Sequence, residues 1–337
     1  MRAGFFRTRS SPDRIQRFQC RYCRRHFSSQ TFATTYWRKR PDLLLPVAHR
    51  LLGCSGFRQI AREFNVSPQT IASLAARIGR QTLLVHEQHR PKGELGEPLD
   101  LDGFRSFEWS QYFPTEFHVA IGQASHFTYG FTDSELRRSG AMSPRQKRRR
   151  AALEARLGRP HPRSVERDVA ALLGIATVGA TGLVTWTDED SHYPRALARQ
   201  HHLVSVEHHT ISSRAARTTR NPLFAINLLD GLIRHSGANH KRETIAFSKR
   251  RQSAAERLWL FVAWRNYVKS FSERKRDATP AMRAGVCTRR YSLAEILRQR
   301  LFPTRVPLPE RWAQYYWRLT PTRALPRVHT HTLRYAT

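Results

Sequence analysis

Apolar and polar positions alternate with different periods along this chain, and the changes of period divide it. Between residues 57 and 74 the apolar spacing is helical. Ile60, Ala61 and Phe64 share one face, and Ile71 and Leu74 share the face of a second segment. Asn65 between them suits the left-handed conformation that ends a helix. Ser67 suits the cap of the next helix and Pro68 its first position. The pattern predicts a helix-turn-helix within residues 45–84. Residues 85–97 lose this periodicity and carry Pro and Gly, which predicts a linker. From Pro98 the pattern becomes strand-like: Leu99-Asp100-Leu101-Asp102 alternates and residues 117–121 are β-rich. Short apolar runs at 183–186 and 203–206 predict further strands. Helices follow at 223–233, with Leu223, Ile226, Leu229, Leu232 and Ile233 largely on one face, and at 255–268. Beyond Ser270 the chain is basic, punctuated by Pro and aromatic. It shows no internal repeat, and no apolar stretch long enough for a bilayer.

Composition narrows the class. The 337 residues include 58 Lys plus Arg against 26 Asp plus Glu, a formal charge of +32. Self-repulsion on that scale destabilises a compact chain unless a polyanion offsets it, and nucleic acid is the commonest. An acidic membrane surface and disorder are the rivals. Seven Trp, 18 Phe and 40% hydrophobic residues argue against disorder. The basic excess is concentrated. Residues 1–50 hold twelve Lys or Arg and two acids, and residues 137–167 hold eleven and two. Arg145, Lys147, Arg148 and Arg149 in the second block read as a phosphate clamp, with a solvated basic helix as the bland alternative. Four cysteines, only two of them closely spaced, argue against a secreted disulfide scaffold.

That close pair, Cys20 and Cys23, has the spacing that grips one edge of a tetrahedral zinc ion. A structural site needs four ligands, and Cys54 and Cys287 stand alone. The expectation is no tight zinc, with two reduced thiols or a chain that begins inside the motif as the explanations. In the helix-turn-helix, Gln69, Thr70 and Ser73 face outward, where a recognition helix meets base edges. Arg77 and Arg80 are placed to reach phosphates. A purely packing helical hairpin is the alternative.

Acids are scarce, so their positions carry information. Asp100 and Asp102 share a face of the first strand, Asp188 follows the 183–186 run, and Asp230 lies on the next helix. Carboxylates so arranged can converge on Mg²⁺ or Mn²⁺ and activate phosphodiester transfer. Singly, each also reads as a turn residue or a solvated salt-bridge partner.

This order of elements resembles the DDE-type transposases of bacterial insertion sequences, in the group with a zinc ribbon, a helix-turn-helix and a ribonuclease-H-like domain. The resemblance spans about residues 15–270. It rests on the segment from Arg17 to Phe27, Asp102 before Ser106-Phe107, Thr187-Asp188 before His192-Tyr193, and Asn227-Leu-Leu-Asp230. It continues through the segment from His240 to Lys249 and through Trp264-Arg265-Asn266-Tyr267. It implies an α+β multidomain chain: a zinc-ribbon remnant (1–44), the helix-turn-helix (45–84) and a linker (85–97). A mixed five-stranded ribonuclease-H-like sheet flanked by helices follows (98–272, with the basic insertion 137–167), then a basic aromatic tail (273–337). It implies Asp102 and Asp188 as the first two catalytic acids. The family usually has Glu third; here Asp230 ranks first, Glu256 second and Glu207 third. It further implies DNA (element terminal repeats and target) as partner, self-association, no membrane, and a cytoplasmic, nucleoid-associated location. A non-enzymatic or decayed DNA-binding protein is the alternative function.

Overall fold

The structure is a computed structural model that describes residues 1–8, 13–36, 38–301 and 303–327. At the N-terminus, strands β1 (Arg2–Arg7), β2 (Arg14–Gln19) and β3 (His26–Ser28) form an antiparallel sheet. Helices α1 (Leu44–Leu52), α2 (Phe57–Glu63) and α3 (Pro68–His89) follow. The turn between α2 and α3 has Asn65 at φ 49. Ser67 Oγ accepts the Thr70 backbone N–H at 3.2 Å, and Pro68 opens α3. Ile60, Ala61, Ile71 and Leu74 close one small core with Val47 and Leu51 of α1.

The 85–97 linker starts later than its letters indicate, because α3 runs on to His89. Residues 85–87 look unhelical only because their polar groups are paired in the interior. His86 Nε2 lies 2.9 Å from Tyr129 O, and the carboxylate of Glu87 accepts from Arg90, both side chains being almost fully buried. Over 22 residues, about 33 Å, α3 passes from the small core into the main one through Leu83, Leu84 and Val85. The two front helices and the sheet domain therefore share a spine.

The main sheet contains β4 (Leu99–Phe107), β5 (Pro114–Gly122), β6 (Thr128–Glu135), β7 (Gly182–Thr187) and β8 (Ser205–Thr210) in the order β6-β5-β4-β7-β8. The first three form an antiparallel meander, whereas β7 joins β4, and β8 joins β7, in parallel. Helices α4 (Pro144–Leu157), α5 (Ser164–Ala176) and α6 (His192–Leu197) lie in the crossovers. Helix α7 (Phe224–Ser236) and helix α8 (Arg251–Tyr267) follow β8. This is a mixed five-stranded sheet flanked by helices, compatible with a ribonuclease-H-like core. The expected strand at 203–206 is displaced to Ser205–Thr210, and His208 and His209 belong to it. Within the 137–167 block, α4 has no buried residue, whereas α5 begins at Ser164 and packs into the core.

The tail is part of the body. Beyond the short helices α9 (Pro280–Arg283) and α10 (Leu293–Arg298), α11 (Glu310–Tyr316) buries Trp312, Tyr315 and Tyr316. Trp312 lies on β6 over Gly130, where a Cβ would meet the indole at 2.2 Å. Asp133 of β6 is fully buried between Arg251 of α8 and Arg311 of α11, at 3.1 and 3.0 Å. These arginines hold its carboxyl below the usual range against the opposing effect of burial. No helix among the described residues is long and apolar enough to cross a membrane.

Candidate active site

Strand register brings the first two acids together. Leu99 and Asp100 of β4 pair in parallel with Thr185 and Trp186 of β7. Continued two residues, that register carries Asp188, just past the end of β7, toward Asp102, and its charge acts on the Asp102 carboxyl. The third acid comes from α7, which runs along β4. The Ile226 backbone lies against Asp100, and Asp230 lies against Asp102. Two strand residues advance about 6.6 Å and one helical turn about 5.4 Å, so the two ladders stay in step. Asp102, Asp188 and Asp230 thus line one cleft of about 920 Å³.

The floor of this cleft is acidic and its rim is basic. Burial, then the charges of Asp230 and Asp188, push Asp102 up to about 7, against the Gly103 N–H that donates to its Oδ1 at 2.6 Å. Burial pushes Asp230 up to about 6, opposed by Arg234, Arg217 and Arg242. Asp230 has no hydrogen bond or ion pair to any described residue. Asp188 Oδ1 accepts the Asp190 N–H at 3.1 Å. Tyr193 is buried beside them, and burial and the charges of Asp102 and Asp188 raise its phenol. Arg105, Arg138, Arg217, Arg234, Lys241 and Arg242 line the same cleft. Asp100, by contrast, is fully buried, receives a bond from Gln123 Nε2 at 3.3 Å, and is pushed up to about 8 by burial. It belongs to the packing of α7 on the sheet.

The donor set fits a hard divalent cation. It consists of carboxylate oxygens, Asp230 has no hydrogen bond or ion pair to a described residue, and the charges of Asp230 and Asp188 add to burial in penalising charged Asp102. Among the described residues, no three His, Cys, Asp or Glu side chains already stand within the span of one ion. A cation here would draw the carboxylates inward.

Other candidates lie elsewhere. Glu256 is buried in α8 and forms an ion pair with Arg318 at 2.8 Å, with its backbone against Gly79 of α3. It does not line the cleft, because that face of α8 is turned to α3. Glu207 is exposed on β8 and pairs with His209 at 2.7 Å, outside the cleft. Gln69 is exposed, Thr70 is half-buried with its hydroxyl 3.0 Å from that of Ser67, and Ser73 Oγ accepts from Arg38 at 3.0 Å. Arg77 does not reach outward. It is buried, it donates to the carbonyls of Thr34 and Tyr36, and burial lowers it to about 9. Arg80 is likewise buried, beside Glu256. Arg145, Lys147, Arg148 and Arg149 are exposed on α4.

Cys20 and Cys23 flank the turn between β2 and β3, where Arg24 has φ 59. The backbone N–H groups of Cys23 and Tyr22 lower the Cys20 thiol. His26 is exposed, and among the described residues no group of three His, Cys, Asp or Glu side chains stands around this pair. His202 and His208 are engaged with Thr177 and Thr187 at 2.8 and 2.9 Å, and His209 stacks on Trp186. They form no metal cluster.

Sequence reasoning did not single out Arg217, Arg234 or His118 for the cleft. Arg234 stands one helical turn after Asp230, a spacing that could have marked it. His118 lies across β4 and β5 from Gly103, a placement that only strand pairing reveals.

No family model matches the chain, and no curated protein does. Among solved structures it is similar to a chain of a cryo-electron microscopy structure of the simian T-cell lymphotropic virus intasome in complex with the PP2A regulatory subunit B56 gamma. The identity is 11%, with 79% of this chain and 76% of that chain covered at a TM-score of 0.25. Similarity at that level carries no argument about fold or function.

Proposed function

We propose that this chain cuts and joins DNA by metal-dependent phosphodiester transfer, as a transposase of mobile-element ends. The observation that carries the reading is the cleft: Asp102, Asp188 and Asp230, from β4, the end of β7 and α7, line it together with Glu116, Asp190 and several arginines and lysines. Asp102, Asp188 and Asp230 would hold two Mg²⁺ or Mn²⁺ ions. Such ions, when bound, activate an attacking oxygen and stabilise the leaving one. The chain's own residues have separate tasks. The carboxylates must lose protons to bind a cation, and the raised values of Asp102 and Asp230 make that a matter of pH near neutrality. Arg217, Arg234 and Arg242 neutralise phosphate as it approaches the acidic floor. Buried Tyr193 supports the acids from below and excludes water.

DNA is the proposed partner on two further surfaces. Exposed Gln69 on the first turn of α3 would meet base edges, and Thr70 and Ser73 would join it only by leaving Ser67 and Arg38. Arg145, Lys147, Arg148 and Arg149 on α4 are set for phosphates. Arg77 is removed from this set. The test is Asp188→Ala in a strand-transfer assay with Mg²⁺ on a DNA end. Activity should vanish while duplex binding persists, and activity that survives overturns the reading. A second reading, a DNA-binding protein without catalysis, is favoured by one observation: the acids are not yet gathered around one ion position. Binding with no cleavage by the unmodified chain under any divalent ion would select it.

A further inference from the structure

The turn joining β4 to β5 carries an exposed tryptophan that nothing in the cleft uses. Trp109 is 47% exposed and left-handed at φ 55, an unusual backbone for a bulky side chain. The turn beneath it is firmly held. Glu108 N–H donates to Phe113 O at 3.0 Å, Phe113 N–H to Ser110 O at 3.0 Å, and Trp109 N–H to Lys249 O at 3.2 Å. The Glu108 carboxylate is buried and accepts the Arg251 N–H at 3.2 Å. The indole is thus presented outward by a rigid base. It lines a hollow of about 220 Å³ together with Tyr112, Phe113 and, from α4, Arg149 and Arg156. Neither arginine has a hydrogen bond or ion pair to any described residue. The same turn also walls the acidic cleft, through Phe107 and Gln111, and Arg138 donates to Gln111 O at 3.3 Å there. Trp109 thus stands two residues from each of two side chains that line the cleft.

We propose that Trp109 is a stacking shelf for one unpaired base of a DNA strand, with Arg149 and Arg156 holding its flanking phosphates. A flat aromatic face accepts any base, and guanidinium groups beside it supply the counter-charge a nucleotide requires. The buried aromatic residues of α11 are not available for this role. The proposal deepens the DNA-processing reading by naming what the site beside the cleft binds, but it needs no catalysis.

The test uses the full chain with a chelator present and a fluorescent single-stranded thymidine oligonucleotide, read by anisotropy. A duplex of the same length is the control. Trp109→Asn keeps a residue that tolerates the left-handed backbone. It should weaken single-strand binding roughly 5- to 150-fold, the range for losing one base–aromatic stack, and leave duplex binding unchanged. Trp109→Phe should restore most of the affinity. Oligonucleotide should quench tryptophan emission of the native chain more than that of Trp109→Phe. Arg149→Gln with Arg156→Gln should flatten the salt dependence. Single-strand affinity unchanged in Trp109→Asn, or equal loss on single strand and duplex, overturns the shelf. Matching thermal midpoints exclude misfolding as the cause. Strand transfer by Asp188→Ala and anisotropy of Trp109→Asn are separate readouts, so failure of the catalytic reading and failure of the shelf give different results.

Discussion

Replacing Asp102 with Asn should make the metal-free protein more stable at neutral pH, although it removes a residue proposed to be catalytic. Asp102 rises from 3.8 to about 7 in the folded chain, through burial and then the charge of Asp230. A shift of that size corresponds to about 4 kcal/mol against the charged form. Part of it is repulsion from Asp230, which a titrating neighbour sheds, so a net gain of about 2–4 kcal/mol is expected. Asn keeps the oxygen that accepts the Gly103 N–H. The folded pKa lies above the unfolded one, so the folded chain holds this proton more tightly. The penalty is therefore absent below about pH 4, grows between pH 4 and 7, and is complete above pH 7. Urea unfolding read by circular dichroism at pH 8 should show the variant's midpoint raised by roughly 1 M, for a slope of about 3 kcal/mol/M. At pH 5 the difference should fall below about 2 kcal/mol. Millimolar Mg²⁺ at pH 8 should stabilise the native chain and narrow the gap, because cation binding offsets the repulsion that Asn removes. A variant no more stable than the native chain at pH 8, or a gap independent of pH, refutes the account of a strained acidic floor.

Other expectations concern packing and binding. Gly79→Ala would set a Cβ 2.3 Å from the Glu256 backbone oxygen, so the crossing of α3 and α8 must open. A loss of about 3 kcal/mol in chemical denaturation is expected, and a neutral result would mean that this crossing is not tightly packed. Replacing Arg145, Lys147, Arg148 and Arg149 with Gln should lower the slope of log affinity for duplex DNA against log salt by up to about 3.5, measured by titration. An unchanged slope removes α4 from the DNA surface. Gln69→Ala with Thr70→Ala should weaken binding to element-end DNA more than to unrelated DNA; equal losses leave α3 a scaffold. Elemental analysis should find no stoichiometric zinc, and zinc that disappears in Cys20→Ser would contradict the two-ligand argument.

How far the sequence reaches can be followed residue by residue. Asn65, Ser67 and Pro68 mark the end of one helix and the start of the next, because capping and backbone preference act within a few residues. The alternation at 99–102 and the apolar run before Asp188 mark strands for the same reason. Long-range pairing escapes such rules. Arg77 and Arg80 look like phosphate contacts in the sequence, yet the structure turns them inward, where carbonyls of residues 34 and 36 and the acid of Glu256 receive or face them. His86 and Glu87 look like linker because they interrupt the apolar periodicity and their buried partners are not visible in the sequence.

The same divide separates the acids. Chemistry and order along the chain mark Asp100, Asp102, Asp188 and Asp230 as candidates, since few carboxylates stand in so basic a chain, and only the resemblance prefers Asp102 to Asp100. Which of them meet is decided by the parallel register of β7 on β4 and by the fit of α7 to that strand. Those two arrangements bring the charge of Asp230 to bear on Asp102, turn Asp100 into the core and leave Glu256 facing α3. Local preference is written into neighbouring residues, whereas charge, burial and hydrogen bonding between distant residues exist only once the chain has closed on itself.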